Sequence, residues 1–344
     1  MLLIRADGNK KIGTGHLMRC LSIAEQAKKK DEIVFVVADE YGEEIVEKRG
    51  FASLVLHTDY KNMEMEISLL SQLICQLQVE MILVDSYYIT KEYIEELSEL
   101  TSVSLMEDML TDAYPVKNVI NYNIYATEEN YRKIFQEQSV NLPSNFLLGP
   151  LYAPLRKQFM DINYQIKKEV TSVLLTTGGT DPFNIAGIIL KELLENKVYR
   201  SYTFHVVSGI FNVNLPKLKE IAKINRNVIL YKDISDMAAI MKSCDVAISA
   251  AGTTMYELAA VGIPTITYAF VDNQDQIAEK FASENMAAYA GSSTMDLKER
   301  CAKIMQQFEK LVNHLEIRKE MHQALRSQVD GMGAKRIYDI ISTK

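Results

Sequence analysis

The chain is predicted to fold as two α/β domains, each a parallel β-sheet with helices on both faces. Three observations carry this. Short β-branched runs alternate with amphipathic helical stretches almost throughout. The strand runs are apolar on both sides, as strands covered by helices are. The alternation is interrupted at Gly149, Pro150 and Pro154 and then restarts, and 344 residues suit two domains.

In the first half, strands are read at Leu2–Arg5, Ile33–Ala38, Ser53–Leu56, Met81–Asp85, Val103–Met106, Asn118–Asn121 and Phe146–Leu148, with helical patterns such as His16–Lys30 and Lys91–Leu100 between them. The second half restarts with Ser172–Thr177, Thr203–Ser208, Val228–Tyr231, Asp245–Ser249, Thr265–Ala269 and Ala287–Tyr289. A polar helical stretch, Leu155–Lys168, leads from one to the other. The expected domains are 1–155 and 170–330, followed by a C-terminal helix in 331–344 set off by Gly331 and Gly333.

Composition narrows the function. Lys and Arg number 38 against 45 Asp and Glu, a net charge of −7, which argues against broad nucleic-acid contact. Lys28, Lys29 and Lys30 form a compact basic run, read as a solvated helix end. The uncharged run Leu258–Val271 is 14 residues and is broken by Gly262 and Pro264, too short to span a bilayer. Arg5 and Asp7 inside the first apolar stretch argue against a signal peptide. The four cysteines, at 20, 75, 244 and 301, lack metal-site spacing and read as structural thiols of a reduced cytoplasmic chain; Cys20 suits packing better than nucleophilic attack. No metal and no cofactor is called for.

Two glycine loops carry the chemistry. The first strand runs into Gly8, Gly13 and Gly15, and His16 opens the next helix. Glycines let backbone approach a ligand, and a helix N-terminus favours anions and the neutral imidazole, so His16 reads as a general base or as a local cap. Met18 stands where a dinucleotide fingerprint needs glycine, which disfavours a dinucleotide. Arg5 and Asp7 read either as a structural ion pair or as substrate contacts, and Arg19 as a solvated helix-face charge, with a phosphate or acidic neighbour as the alternative.

In the second half, Ser172–Thr177 ends in Gly178-Gly179-Thr180-Asp181-Pro182, an anion-binding turn without the Lys-Ser/Thr ending of a P-loop. Gly252-Thr253-Thr254 opens a helix carrying Glu257, a start that suits a diphosphate, with Glu257 placed to accept from ribose hydroxyls. Simple capping by the threonines, and a dipole-stabilised carboxylate at Glu257, are the plainer alternatives. Asn273 and Gln274 open the following helix, with amides suited to sugar hydroxyls or an N-acetyl group; Asn273 as an N-cap weighs equally.

The segments Arg5-Ala6-Asp7 and Ile12-Gly13-Thr14-Gly15-His16-Leu17-Met18-Arg19-Cys20-Leu21 closely resemble the opening of the UDP-sugar hydrolases of pseudaminic acid biosynthesis and of spore-coat polysaccharide proteins of the same family. The resemblance continues through Asp85-Ser86-Tyr87, Glu107-Asp108, Asn121-Tyr122-Asn123, residues 148–156, the Gly178–Asp181 loop and Gly252–Pro264, nearly the whole chain. It implies a GT-B-like fold, two Rossmann-like domains with a deep inter-domain cleft. It also implies metal-independent hydrolysis of UDP-2,4-diacetamido-2,4,6-trideoxy-β-L-altrose to free sugar and UDP. His16 becomes the base, Tyr87 a residue near the sugar, Glu257 the nucleotide-binding glutamate, and Asn273 with Gln274 the amide pair. Ser86 and Tyr88 depart from hydrolases that carry His and Gly there, and the region after Thr294 is longer than the shortest members need. The expected partner is the UDP-sugar, with no nucleic acid and no membrane insertion, and the chain is expected to be a monomer. A GT-B glycosyltransferase and a non-catalytic nucleotide-sugar-binding module are the alternatives; an epimerase is disfavoured because no carboxylate-rich site is evident.

Overall fold

The computed structural model describes residues 1–9, 11–29, 32–209, 211–232 and 234–343. The chain divides into two compact units, one of 1–157 with 331–344 and one of 158–330.

Among its described residues the first unit holds seven strands: β1 (Leu2–Ala6), β2 (Ile33–Val37), β3 (Ala52–Val55), β4 (Met81–Asp85), β5 (Ser102–Met106), β6 (Asn118–Asn121) and β7 (Asn145–Leu148). They form one parallel sheet in the order β3-β2-β1-β4-β5-β6-β7. The second unit holds β8 (Ser172–Thr176), β9 (Thr203–Ser208), β10 (Val228–Lys232), β11 (Val246–Ala250), β12 (Thr265–Tyr268) and β13 (Ala288–Tyr289), all parallel, in the order β10-β9-β8-β11-β12-β13. Each order reverses once, between β1 and β4 and between β8 and β11. Loops leaving the strands' C-terminal ends diverge there, which makes a ligand crevice in open α/β sheets.

Strand alternation divides the first unit's core. Leu3, Ile82, Val84 and Leu105 face a cluster shared with α3 (Ile67–Gln76), α4 (Lys91–Leu100) and α5 (Glu128–Glu137), through Leu70, Ile74, Tyr93, Ile94, Leu97, Tyr131 and Phe135. Helix α1 (Gly15–Ala24) packs on β1 and β4 with Leu17, Cys20, Leu21 and Ala24 buried. The last helix, α13 (Gly333–Ile341), packs against α1 and against the 3₁₀ turn Pro150–Tyr152, so the C-terminus belongs to the first unit.

Two helical expectations need correction. The stretch read as His16–Lys30 is helical only to Ala24, where Gln26 and Ala27 donate to Ile23 and Ala24 and tighten the last turn; Lys30 lies outside the described residues. The stretch Leu155–Lys168 is not an α-helix. It holds one 3₁₀ turn, Lys157–Phe159, and is otherwise irregular, because its polar groups bond elsewhere. Gln158 accepts from Ala238 N and donates to Ser235 O, and the carbonyl of Lys168 accepts from Arg318 Nη2 at 2.7 Å.

Candidate active site

The loop after β1 is built by Asn9 and its glycines. Asn9 N donates to Gly13 O at 2.9 Å, and Asn9 Oδ1 accepts from the amides of Lys11 and Ile12. Gly13 has φ +78°, a conformation that favours glycine, and a side chain at Gly8 would stand 3.1 Å from Leu17 Cβ. The loop thus lies tight on α1 and delivers His16 in its first turn, buried. Thr14 at the N-cap makes no side-chain capping bond, and open space lies above Gly13 and Gly15.

His16 Nδ1 donates to Oδ1 of Asp85, the last residue of β4, at 2.6 Å. Asp85 also accepts from Arg19 at two points, Nε to Oδ2 at 2.6 Å and Nη2 to Oδ1 at 2.5 Å, and from Cys20 Sγ at 3.4 Å. Burial works to raise the Asp85 pKa, but the Arg19 guanidinium and His16 outweigh it and hold the carboxyl well below the usual range. An ionised Asp85 can only accept, so the proton between it and the ring sits on Nδ1, and the lone pair of the neutral imidazole is on Nε2. The arrangement is that of an oriented general base.

Tyr87, in the loop after β4, stands edge-on to His16 with ring centroids 4.3 Å apart. The residue is exposed overall, but its hydroxyl donates to Asp108 Oδ2 at 3.4 Å, and local desolvation of that hydroxyl with nearby Asp108 pushes its pKa up, so it stays a neutral phenol.

Arg5 and Asp7 form the structural ion pair that was one of their two readings, and Arg19 meets acidic neighbours. Arg5 is fully buried on the face of β1 opposite α1, its Nε and Nη2 bonded to Glu66 at 2.6 and 2.9 Å and its Nη1 2.7 Å from Asp7. Asp7 Oδ1 accepts from Ala38 N at 2.8 Å. Both are structural ties, not substrate contacts, since strand alternation turns Arg5 away from the His16 side. Arg19 is no solvated charge: it is partly buried between Asp85 and Asp108, with its side chain 11% exposed. Asp85, Arg19 and Asp108 were missed as site residues. A carboxylate ending the apolar run Met81–Asp85, and an arginine three residues after His16 on one helix face, were the available signals.

In the second unit, the loop after β8 carries Gly178 (φ +74°) and Gly179, with open space where side chains would stand. Gly209 packs on this loop so closely that a side chain there would lie 2.4 Å from the carbonyls of Gly178 and Gly179. The start of the next helix, α6 (Ile185–Glu195), is already occupied: Asp181 accepts from Ile185 N at 2.8 Å and Ala186 N at 3.1 Å. Burial nonetheless raises the Asp181 pKa.

The start of α9 (Thr254–Val261), after β11, differs. Thr253 makes no side-chain capping bond, Gly252 has open space beside it, and Glu257 lies in the first turn, partly exposed. The opposite end of α9 is closed by Gly262 (φ +79°), with His322 Nδ1 donating to Gly262 O at 2.7 Å and Arg326 donating to Ala260 O. Asn273 and Gln274 fall in a 3₁₀ turn, Asp272–Gln274, that precedes α10 (Asp275–Ser283) and does not belong to it. Asn273 is exposed, and Gln274 spends its amide oxygen on Phe270 N at 3.1 Å. In the first unit, then, His16 and Tyr87 meet beside Gly13 and Gly15; in the second, Gly178, Gly179 and Gly252–Thr254 follow the C-terminal ends of the two neighbouring central strands, β8 and β11. Among the described residues, no group of three His, Cys, Asp or Glu side chains is arranged to hold a metal ion.

Comparison with known proteins agrees with this architecture. The glycosyltransferase family 28 C-terminal domain matches residues 173–339. The spore coat polysaccharide biosynthesis protein SpsG of Bacillus subtilis is 21% identical over 98% of this chain and 96% of its own length. The UDP-2,4-diacetamido-2,4,6-trideoxy-β-L-altropyranose hydrolase of Campylobacter jejuni is 24% identical over 82% of this chain and 96% of its own. An uncharacterized protein of Methanocaldococcus jannaschii is 26% identical over 77% of this chain, which spans about half of that longer relative, 54%. Among solved structures, MurG of Acinetobacter baumannii superposes with a TM-score of 0.68 over 99% of this chain and 98% of that one, a likeness of fold at 13% identity. The chain therefore has a GT-B-type fold; its residues 173–339 match the glycosyltransferase family 28 C-terminal domain, and its sequence is similar to the spore-coat polysaccharide protein and the UDP-diacetamido-trideoxy-altropyranose hydrolase.

Proposed function

We propose that this chain hydrolyses a UDP-linked 2,4-diacetamido-2,4,6-trideoxyhexose, the β-L-altrose derivative, to free sugar and UDP, serving nonulosonic acid or surface-polysaccharide synthesis. The observation that carries the reading is the His16–Asp85 pair, an imidazole whose Nδ1 is engaged and whose Nε2 is left as base. Nε2 takes a proton from a water, whose oxygen bonds to the anomeric carbon as the bond to the UDP oxygen breaks, with inversion. The diphosphate is held by the open start of α9 at Gly252, Thr253 and Thr254 and by the Gly178–Gly179 turn, where backbone N–H groups stabilise the departing charge without a lysine. Glu257 accepts from the ribose hydroxyls, and Tyr87, Asn273 and the Gln274 amide N–H₂ orient the sugar. Arg5 and Asp7 have no part in it.

The family 28 domain favours a second reading, in which the same base activates an acceptor hydroxyl and the chain is a glycosyltransferase. Incubation with the UDP-altrose derivative in ¹⁸O-water separates the two. Hydrolysis releases UDP with one ¹⁸O in the free sugar and none in UDP. Label in UDP overturns C–O cleavage, and UDP release only on adding an acceptor alcohol favours transfer.

A further inference from the structure

Two sequence segments near the first unit's strand ends, Glu107-Asp108 and Asn121-Tyr122-Asn123, have no role in the proposed reaction, and neither does Arg19. They lie in one continuous set of hydrogen bonds that ends at His16. Arg19 uses its Nε and Nη2 on Asp85, then turns Nη1 to Asp108 Oδ2 at 2.7 Å and to the Tyr122 hydroxyl at 3.3 Å. Asp108 is held in turn by Asn123 Nδ2, which donates to its Oδ1 at 3.4 Å and to Asn121 Oδ1 at 2.9 Å. One oxygen of Asp108 therefore receives both the arginine that clamps Asp85 and the tyrosine that stands against the His16 ring.

We propose that Arg19 and Asp108 are positioning residues which set, from opposite electrostatic sides, how readily the His16 ring holds a proton. The sign comes from counting charge. The groups facing the ring are Asp85 from β4, Arg19 from its own helix, neutral Tyr87 from the loop after β4, and, one step out, Asp108 after β5 and neutral Tyr122 after β6. Two carboxylates and one guanidinium leave one negative charge in excess while the ring is neutral, and none once it is protonated. Arg19 Nη2 and His16 Nδ1 converge on the same Asp85 oxygen, at 2.5 and 2.6 Å, so neither contribution reaches the ring through bulk water. Removing the Asp108 charge makes protonation of the ring harder. Removing the Arg19 charge makes it easier.

The inference rests on the hydrolase reading for its rate readout, and a second readout does not depend on that reading. In Asp108→Asn the acid limb of the kcat–pH profile moves to lower pH. In Arg19→Gln it moves to higher pH, by about one pH unit. The double variant, which restores the charge excess, brings the limb back toward wild type, and Arg19→Lys, which keeps the charge, leaves it near wild type at reduced kcat. The His16 ring signal, assigned by its loss in His16→Asn and followed by NMR against pH, moves in the same opposite senses. Loosened packing alone would move both single variants one way. Equal-direction or absent ring shifts in Asp108→Asn and Arg19→Gln overturn the proposal. Opposite ring shifts in the two single variants, beside a wild-type protein that releases no UDP, uphold it and sink the hydrolase reading instead.

Discussion

At Asp85 burial and charge pull in opposite directions, and charge wins. The carboxyl is fully buried, yet Arg19 and His16 keep it ionised far below the usual carboxylate range. A folded-state pKa lowered below the unfolded value contributes stability that is complete above the ordinary carboxylate range and is lost as pH falls through it toward the folded value. Asp85→Asn should therefore be less stable than wild type, by about 3–5 kcal/mol near neutrality, because Arg19 loses a buried partner. That gap should narrow below about pH 4, where the unfolded wild-type chain takes up a proton at Asp85 that the folded chain does not yet bind. Thermal melts across pH 3–7 check it, and a gap that widens toward acid contradicts the assignment. The same variant leaves Nδ1 facing an amide, so kcat should fall by roughly 10²–10⁴ with little change in KM. His16 was legible in the sequence because its neighbours are local: a strand end, two glycines and a helix start. Asp85 was not, since its bond to His16 spans 69 positions. Arg5 and Arg19 show the same limit. Each is a cation near the first strand, and only the pleat and the sheet order decide that one faces Glu66 and the other Asp85.

Between elements, the two glycine-bearing helix starts of the second unit are not equivalent. Asp181 fills the orphan N–H groups of α6 with the chain's own carboxylate, whereas α9 begins with an uncapped Thr253 and open space beside Gly252. Gly252→Ala should melt within a degree or two of wild type, since its Cβ meets nothing within 4 Å and no left-handed φ is forced. It should weaken UDP binding, because that Cβ stands where the diphosphate is proposed to lie. Gly178→Ala should instead cost about 1–2 kcal/mol through its φ of +74°. Calorimetric melts and UDP titrations of the two variants make the comparison; unchanged UDP affinity in Gly252→Ala removes α9 as the diphosphate site. At this scale the sequence was read well for strands. The thirteen described strands lie within a residue or so of where β-branched runs place them, and burial on both faces leaves the strongest apolar mark on central ones such as β1, β4, β8 and β11. It was read poorly for the Leu155–Lys168 stretch, whose partners Arg318, Ser235 and Ala238 lie far along the chain and whose own composition resembles an exposed helix.

Across the whole molecule the chain builds the first unit, then the second, and then returns. The returning helix α13 buries Ala334, Ile337 and Ile341, and a side chain at Gly333 would stand 2.2 Å from Ala153 O, so the helix seats directly on the segment after β7. Because α13 also packs on α1, it supports the helix whose first turn carries His16. Sequence periodicity showed that a last helix exists, but a helix's apolar face does not say which surface it covers. Ile337 is fully buried, so Ile337→Ala should cost about 2–4 kcal/mol and lower the melting of the unit containing it on the order of 10 °C. The loss should be confined to that unit. In hydrogen-exchange mass spectrometry, peptides from β1, α1 and β4 should exchange faster in the variant, while those from β8, β11 and α9 keep their wild-type protection. Equal acceleration in both sets would mean that α13 supports the second unit as well, and that the two units unfold as one.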